Sequence, residues 1–153
     1  MVLLQCDVWV PCSGSGRLSE EERQLILDEH NKYRSLLAKG QVVAAGNQLL
    51  RGARNMIKLT YDCNLETIAQ NWINYCQFEH SDREFRKGAG ENLYYAGTTG
   101  ELNNRTQYLK DAAKAWWDEV KDIYESSLEE EKGGLKMTNA ISYAGALHWS
   151  QVV

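Results

Sequence analysis

A chain of 153 residues is long enough to bury one sizeable core, and 43% apolar with 25% charged residues is ordinary for a globular domain. The net charge of -4 argues against nucleic acid and against an anionic membrane surface as partners. No apolar run is long enough to span a bilayer, so no transmembrane helix is expected.

Residues 1 to 17 read as a flexible leader ending in Pro11-Cys12-Ser13-Gly14-Ser15-Gly16. Met1 to Val10 contains an Asp and has no basic start, which makes it a poor signal peptide. Ser19 then opens a helix, with Glu22 three residues later completing a capping box. Ile26, His30, Tyr33 and Leu37 follow on one face, and Gly40 stops the helix. A histidine on such a face is expected to be a core residue with a hydrogen-bond partner. Residues 41 to 55 read as loop, and Met56 to Tyr61 as a short strand.

Asp62 or Asn64 caps a second helix with an apolar stripe of Leu65, Ile68, Ala69, Trp72 and Cys76, ending near Phe78-Glu79-His80-Ser81. Next comes Gly88-Ala89-Gly90-Glu91-Asn92-Leu93-Tyr94-Tyr95-Ala96-Gly97, in which Glu91 is the only charged side chain. Two readings stand for it: a tight loop with a solvated carboxylate, or a carboxylate with a partner elsewhere. Asn104-Arg105-Thr106 is an N-glycosylation sequon, relevant in a secreted protein.

A third helix is expected from Gln107 to Tyr124, with Leu109, Ala112, Ala113, Trp116, Val120 and Ile123 inward. Glu119 stands at the edge of that face, where a carboxylate reaches water or pairs. Glu125 to Gly134 reads as a solvated acidic loop. Ala146 to Val153 reads as a strand, with His148, Ser150 and Val152 on one face and Leu147, Trp149, Gln151 and Val153 on the other.

His80, Glu91, Glu119 and His148 form the donor set of a zinc-type site, though spacing alone does not bring them together. The four cysteines, Cys6, Cys12, Cys63 and Cys76, are too scattered for a zinc ribbon and permit disulfides without proving an oxidising compartment. With helix between them, Cys63 and Cys76 lie on the order of 20 Å apart, too far to pair with each other. H-E-x-x-H and G-x-S-x-G are both absent.

Four pieces of the chain resemble the CAP superfamily of cysteine-rich secretory proteins, insect antigen 5 and plant pathogenesis-related class 1 proteins. They are Glu29-His30-Asn31-Lys32-Tyr33-Arg34, Glu79-His80-Ser81, Gly90-Glu91-Asn92-Leu93-Tyr94 and Leu147-His148-Trp149-Ser150-Gln151-Val152-Val153. Ala115-Trp116-Trp117-Asp118-Glu119 takes its expected place between the last two, and Tyr61-Asp62-Cys63, Cys76 and Cys12 look most like the nematode branch.

The resemblance implies an α+β fold, a three-layer α-β-α sandwich spanning residues 18–153 with its last strands missing. It carries the family's cleft tetrad onto His80, Glu91, Glu119 and His148, which implies weak binding of zinc or another divalent cation. It implies no catalytic residue. It also implies secretion, with Cys12, Cys63 and Cys76 as disulfide candidates: any partners of Cys63 and Cys76 lie beyond Val153, Cys12 has either nearby Cys6 or a downstream partner, and an unpaired last strand drives aggregation.

Three functions follow from the resemblance. The first is a venom allergen-like protein that acts on host or other protein partners. The second is a lipid- or sterol-binding module, weakened because Ala89 stands where relatives with that role have an aromatic. The third is a metal-dependent hydrolase with Glu91 or Glu119 as base. Leu147 is a further departure, since the family usually has Gly or a charged residue there.

Overall fold

The computed structural model describes residues 18–97, 99, 104–123, 129–131, 134–136 and 146–152. The first helix, α1 (Glu20–Ala38), starts as its sequence dictates. Ser19 Oγ accepts from the Glu22 N–H at 3.2 Å, and Glu22 Oε2 accepts from the Ser19 N–H at 2.7 Å. These reciprocal bonds satisfy two backbone donors at the helix start. The helix ends at Gly40, whose φ of +65° is the left-handed conformation that glycine adopts without strain.

The chain then turns back tightly. Leu50 N–H donates to the Val42 carbonyl at 2.8 Å, and Val43 and Leu49 form an isolated antiparallel bridge. The return brings Gly52 against the end of α1. A Cβ on Gly52 would stand 2.6 Å from the Ala38 carbonyl oxygen and 3.2 Å from the Gly40 nitrogen. Both are backbone atoms, so neither can swing aside. Gly52→Ala is therefore expected to cost about 1–3 kcal/mol, read as a lower urea midpoint at unchanged slope. An unchanged midpoint would show that the turn relaxes freely.

Residues 56 to 61 do not form a strand. They run extended along α1, and side chains of α1 take the place of a neighbouring strand. Asn31 accepts from the Leu59 N–H at 2.8 Å and donates to the Leu59 carbonyl at 3.1 Å. Arg34 donates to the Ile57 carbonyl at 2.7 and 3.2 Å. Once these backbone groups are satisfied, no ladder is required.

Asp62 caps α2 (Cys63–Ile73) by accepting from Asn64 and Leu65. This helix stops short of Phe78, and its stripe is not the expected one. Leu65 is 51% exposed while Glu66 is buried. The cause is Arg23 on α1, which holds Glu66 through two bonds at 2.8 and 3.0 Å. An ion pair therefore fixes the rotation of α2.

The third helix, α3 (Arg105–Asp118), continues as a 3-10 turn, Glu119–Asp122. Ala112, Ala113, Val120 and Ile123 are buried as the periodicity predicts. Trp117 is buried as well, stacked on Tyr33 with ring centroids 4.9 Å apart. A short antiparallel ribbon follows, β1 (Glu129–Glu131) with β2 (Gly134–Lys136), pairing Glu130 with Leu135. This ribbon interrupts the acidic stretch that reads as loop.

The last run is a helix, α4 (Leu147–Val152), not a strand. Ala146, Trp149 and Val152 are all buried, a spacing of three, while Leu147 is 53% exposed. A strand would have put Leu147 and Trp149 on one face. The Arg34 guanidinium also donates to the Val152 carbonyl at 3.1 Å, tying α4 to α1. An aggregation-prone free strand at 146–152 is thereby excluded. Tyr33, Leu37, Val42, Leu50, Trp117, Ile123, Trp149 and Val152 form the centre of one hydrophobic core.

Candidate functional site

His80 and Glu91 meet across a tight turn. Residues 83 to 88 wind back on themselves, with Lys87 and Gly88 at φ of +53° and +80°. Arg86 clamps the turn by donating to the Ala89 carbonyl at 2.9 Å and to the Ser81 carbonyl. Glu91 is thereby set among donors. Its Oε1 lies 2.7 Å from His80 Nδ1 and accepts from the Ser81 N–H at 2.9 Å. Its Oε2 accepts from the Ser81 hydroxyl at 2.6 Å. Burial works to raise the Glu91 carboxyl, but the Ser81 hydroxyl and His80 outweigh it and hold it below the usual carboxylate range. Glu91 is thus a paired carboxylate, the second of its two sequence readings.

Glu119 and His148 make a second pair. Glu119 sits where α3 passes into its 3-10 turn. Its Oε1 lies 2.5 Å from His148 Nδ1, and its Oε2 accepts from the Trp149 N–H at 3.0 Å. That N–H is in the first turn of α4 and has no partner inside the helix. Glu119 therefore starts α4 and orients His148 together.

The two pairs are joined through Asn92, next to Glu91, which donates to the His148 carbonyl at 3.0 Å. Gly90 lies against the Gln151 side chain of α4, whose amide oxygen would stand 1.9 Å from a Cβ there. The Trp116 indole donates to the Leu93 carbonyl at 3.0 Å and ties the same loop to α3.

Among the described residues no three His, Cys, Asp or Glu side chains gather closely enough to hold a metal. The tetrad is arranged as two dyads rather than one four-donor cluster. An ionised carboxylate only accepts, so each imidazole presents its Nδ1–H to its carboxylate. Among the described residues, Nε2 is then the ring nitrogen left for a ligand in each pair. In each dyad the carboxylate orients its imidazole from the Nδ1 side.

The remaining site candidates lie apart. His30 donates Nδ1–H to the Ile26 carbonyl at 2.8 Å, within its own helix. Asn104 caps α3. Cys76 is free and exposed, whereas Cys63 is disulfide-bonded. A partner for Cys63 beyond Val153 is therefore not required. Cys6 and Cys12 lie outside the described residues.

Ser81 and Arg86 were not singled out by sequence reasoning, yet they supply most of the order around Glu91. The only signal was Ser81 directly following His80. Arg23 and Glu66 gave none beyond an acidic residue off the apolar stripe.

The chain belongs to the CAP family: the profile described as cysteine-rich secretory protein family matches residues 27–153. Within it the chain is similar to venom allergen-like proteins. It is 32% identical to venom allergen 5 of Microctonus hyperodae over 90% of this chain and 56% of that protein. It is 33% identical to Ancylostoma secreted protein of Ancylostoma caninum over 73% of this chain and 26% of that protein. The chain thus spans little more than half, or less, of these curated relatives.

Among solved structures, BmVAL-1 has a TM-score of 0.80 at 33% identity, over 94% of this chain and 67% of the other. NaASP2, crystallised with Zn2+, has a TM-score of 0.74 at 34% identity, over 94% and 70%. These likenesses establish the CAP domain fold. Among the described residues no helix is long and apolar enough to cross a membrane.

Proposed function

We propose that this chain belongs to a secreted, venom allergen-like protein that works by binding protein partners outside the cell. In this reading it adopts the family's three-layer α-β-α sandwich, with β1 and β2 in the sheet layer. Its cleft takes a divalent cation such as zinc, weakly, through Nε2 of His80 and His148. The observation that carries the cation reading is that both Nδ1 atoms face carboxylates, at 2.7 and 2.5 Å. That arrangement fixes the ring orientation and, among the described residues, leaves the same nitrogen open on each ring. Two imidazoles without a thiolate make a weak site. Support also comes from a neighbour of this fold crystallised with Zn2+ and a relative named a secreted protein.

The supporting group, when bound, supplies a positive charge and coordination sites for an anionic or carbonyl ligand. The chain's own residues hold the rings and exclude alternative orientations. Calorimetric titration of zinc into the wild type and into His80→Ala/His148→Ala tests the reading. The double variant is expected to lose at least tenfold in affinity, and equal affinities would overturn it. Turnover in a peptidase panel that a chelator abolishes would replace binding by hydrolysis. Saturable uptake of a labelled sterol or fatty acid would replace it by lipid carriage.

A further inference from the structure

Asn104 occupies two roles whose demands on its side chain differ. As the residue before α3, it accepts from the Gln107 N–H through Oδ1 at 3.0 Å. As the first residue of Asn104-Arg105-Thr106, it offers Nδ2 in an N-x-Thr acceptor sequence. The cap uses only the oxygen, and glycosylation uses only the nitrogen. Asn104, Arg105 and Thr106 are all exposed. Arg105, between the acceptor and Thr106, is drawn to α1 by Glu22 at 3.0 Å. Beside them lies an open groove of about 440 Å³ lined by Ser19, Glu21, Glu22, Leu25, Arg105 and Thr106.

We propose that Asn104 carries an N-linked glycan that coexists with its helix cap and whose first sugar lies along this groove. The inference rests on the secretory reading above. In the transfer, the bond from the sugar C1 to the pyrophosphate oxygen of a lipid-linked oligosaccharide breaks. A bond from C1 to Nδ2 forms, Nδ2 loses a proton, and the lipid pyrophosphate leaves with the bonding electrons. The product is still an amide, so Oδ1 keeps its lone pairs for the Gln107 N–H. The groove's lining includes the carboxylates of Glu21 and Glu22 and the hydroxyls of Ser19 and Thr106, partners for sugar hydroxyls. Position adds a consequence. Asn104 and Glu119 bracket α3, a helix of 14 residues, so roughly 20 Å separates them at about 1.5 Å per residue. The glycan therefore covers the end of the domain away from the His148–Glu119 pair.

The test directs the full chain into the lumen of the endoplasmic reticulum of insect cells with an added cleavable signal. Intact mass is measured before and after peptide N-glycosidase. The wild type and Thr106→Ser are expected to carry one removable glycan each. Thr106→Ala and Asn104→Asp are expected to carry none. Peptide N-glycosidase leaves Asp at the released position, so the cap is judged on the intact glycoprotein: its melting temperature is expected to be no lower than that of Asn104→Asp, in which Asp caps, and a clear drop would show that glycan and cap compete. Unmodified Asn104 in chain recovered from the lumen would overturn the inference while leaving the secretory reading intact. That reading fails instead if the native protein is found only inside the cell.

Discussion

Trp149→Ala is expected to lower stability by about 3–5 kcal/mol, the usual cost of truncating a buried aromatic to alanine. Trp149 is 2% exposed and packs near Trp117, ring centroids 6.4 Å apart, within the cluster that joins α1, α3 and α4. A six-residue helix has little stability of its own and depends on this anchor. Urea denaturation gives the measurement: at a slope of about 2 kcal/mol/M the midpoint falls by roughly 2 M. Trp149→Phe separates packing from polarity. Among the described residues the Trp149 Nε1 is buried without a hydrogen-bond partner. Phenylalanine keeps most of the apolar volume and removes that orphan donor, so its cost is expected to be well under half that of alanine. The bond from the Trp149 N–H to Glu119 belongs to the backbone and survives either change. Equal losses for both variants would show that the indole nitrogen is satisfied and contributes.

The starts of α1 and α2 were legible in the sequence because their causes are local, whereas α3 starts at Arg105, two residues ahead of the expected Gln107, with Asn104 as its cap. Ser19 with Glu22, and Asp62 ahead of Cys63, satisfy backbone donors a few residues away, and the structure has both caps. The buried face of α3 was legible as well, since Ala112, Ala113 and Val120 keep helical period. What failed depended on partners distant in sequence. Met56 to Tyr61 has strand composition, but its backbone groups are taken by Asn31 and Arg34. Leu147 to Val152 is short and mixes apolar with polar residues, a pattern too brief to separate helix from strand; burial of Ala146, Trp149 and Val152 decides for helix. The candidate site divides in the same way. The identities of His80, Glu91, Glu119 and His148 came from resemblance to a family, not from spacing. Their division into two dyads, each with its carboxylate on Nδ1, is a matter of side-chain geometry that no motif encodes.

Glu66→Leu is expected to cost about 2–3 kcal/mol, because it removes the buried carboxylate that takes two of the Arg23 bonds and leaves the guanidinium to the more exposed Glu20. Glu66 and Arg23 have side chains only 5% and 6% exposed. The guanidinium meets both carboxylate oxygens, at 2.8 and 3.0 Å, the geometry that makes arginine the better cation for a planar fork. Arg23 also reaches Glu20 at 2.6 Å, and the Tyr61 hydroxyl donates to Glu66 at 3.1 Å. The network thus ties α1, the extended segment before α2 and α2 itself. The same contacts set a pH dependence. The bond from Arg23 holds the Glu66 carboxyl below its ordinary value, against burial, with Tyr61 assisting. A folded-state value below the unfolded one means that the unfolded chain takes up the proton first as pH falls. The stabilisation is therefore complete above the ordinary glutamate range, near pH 4.3, and is lost as pH drops through the lower folded value. Acid titration of stability in the wild type and in Glu66→Leu checks this: the variant is weaker at pH 7, and the gap narrows as pH falls below the ordinary glutamate range. Arg23→Met/Glu66→Leu carries the argument further. Well-packed apolar residues in place of both charges restore what either single change removes, so the double variant is expected to be more stable than Glu66→Leu. Additive losses in the double variant would mean that the two side chains act independently and that the pair does not set the rotation of α2.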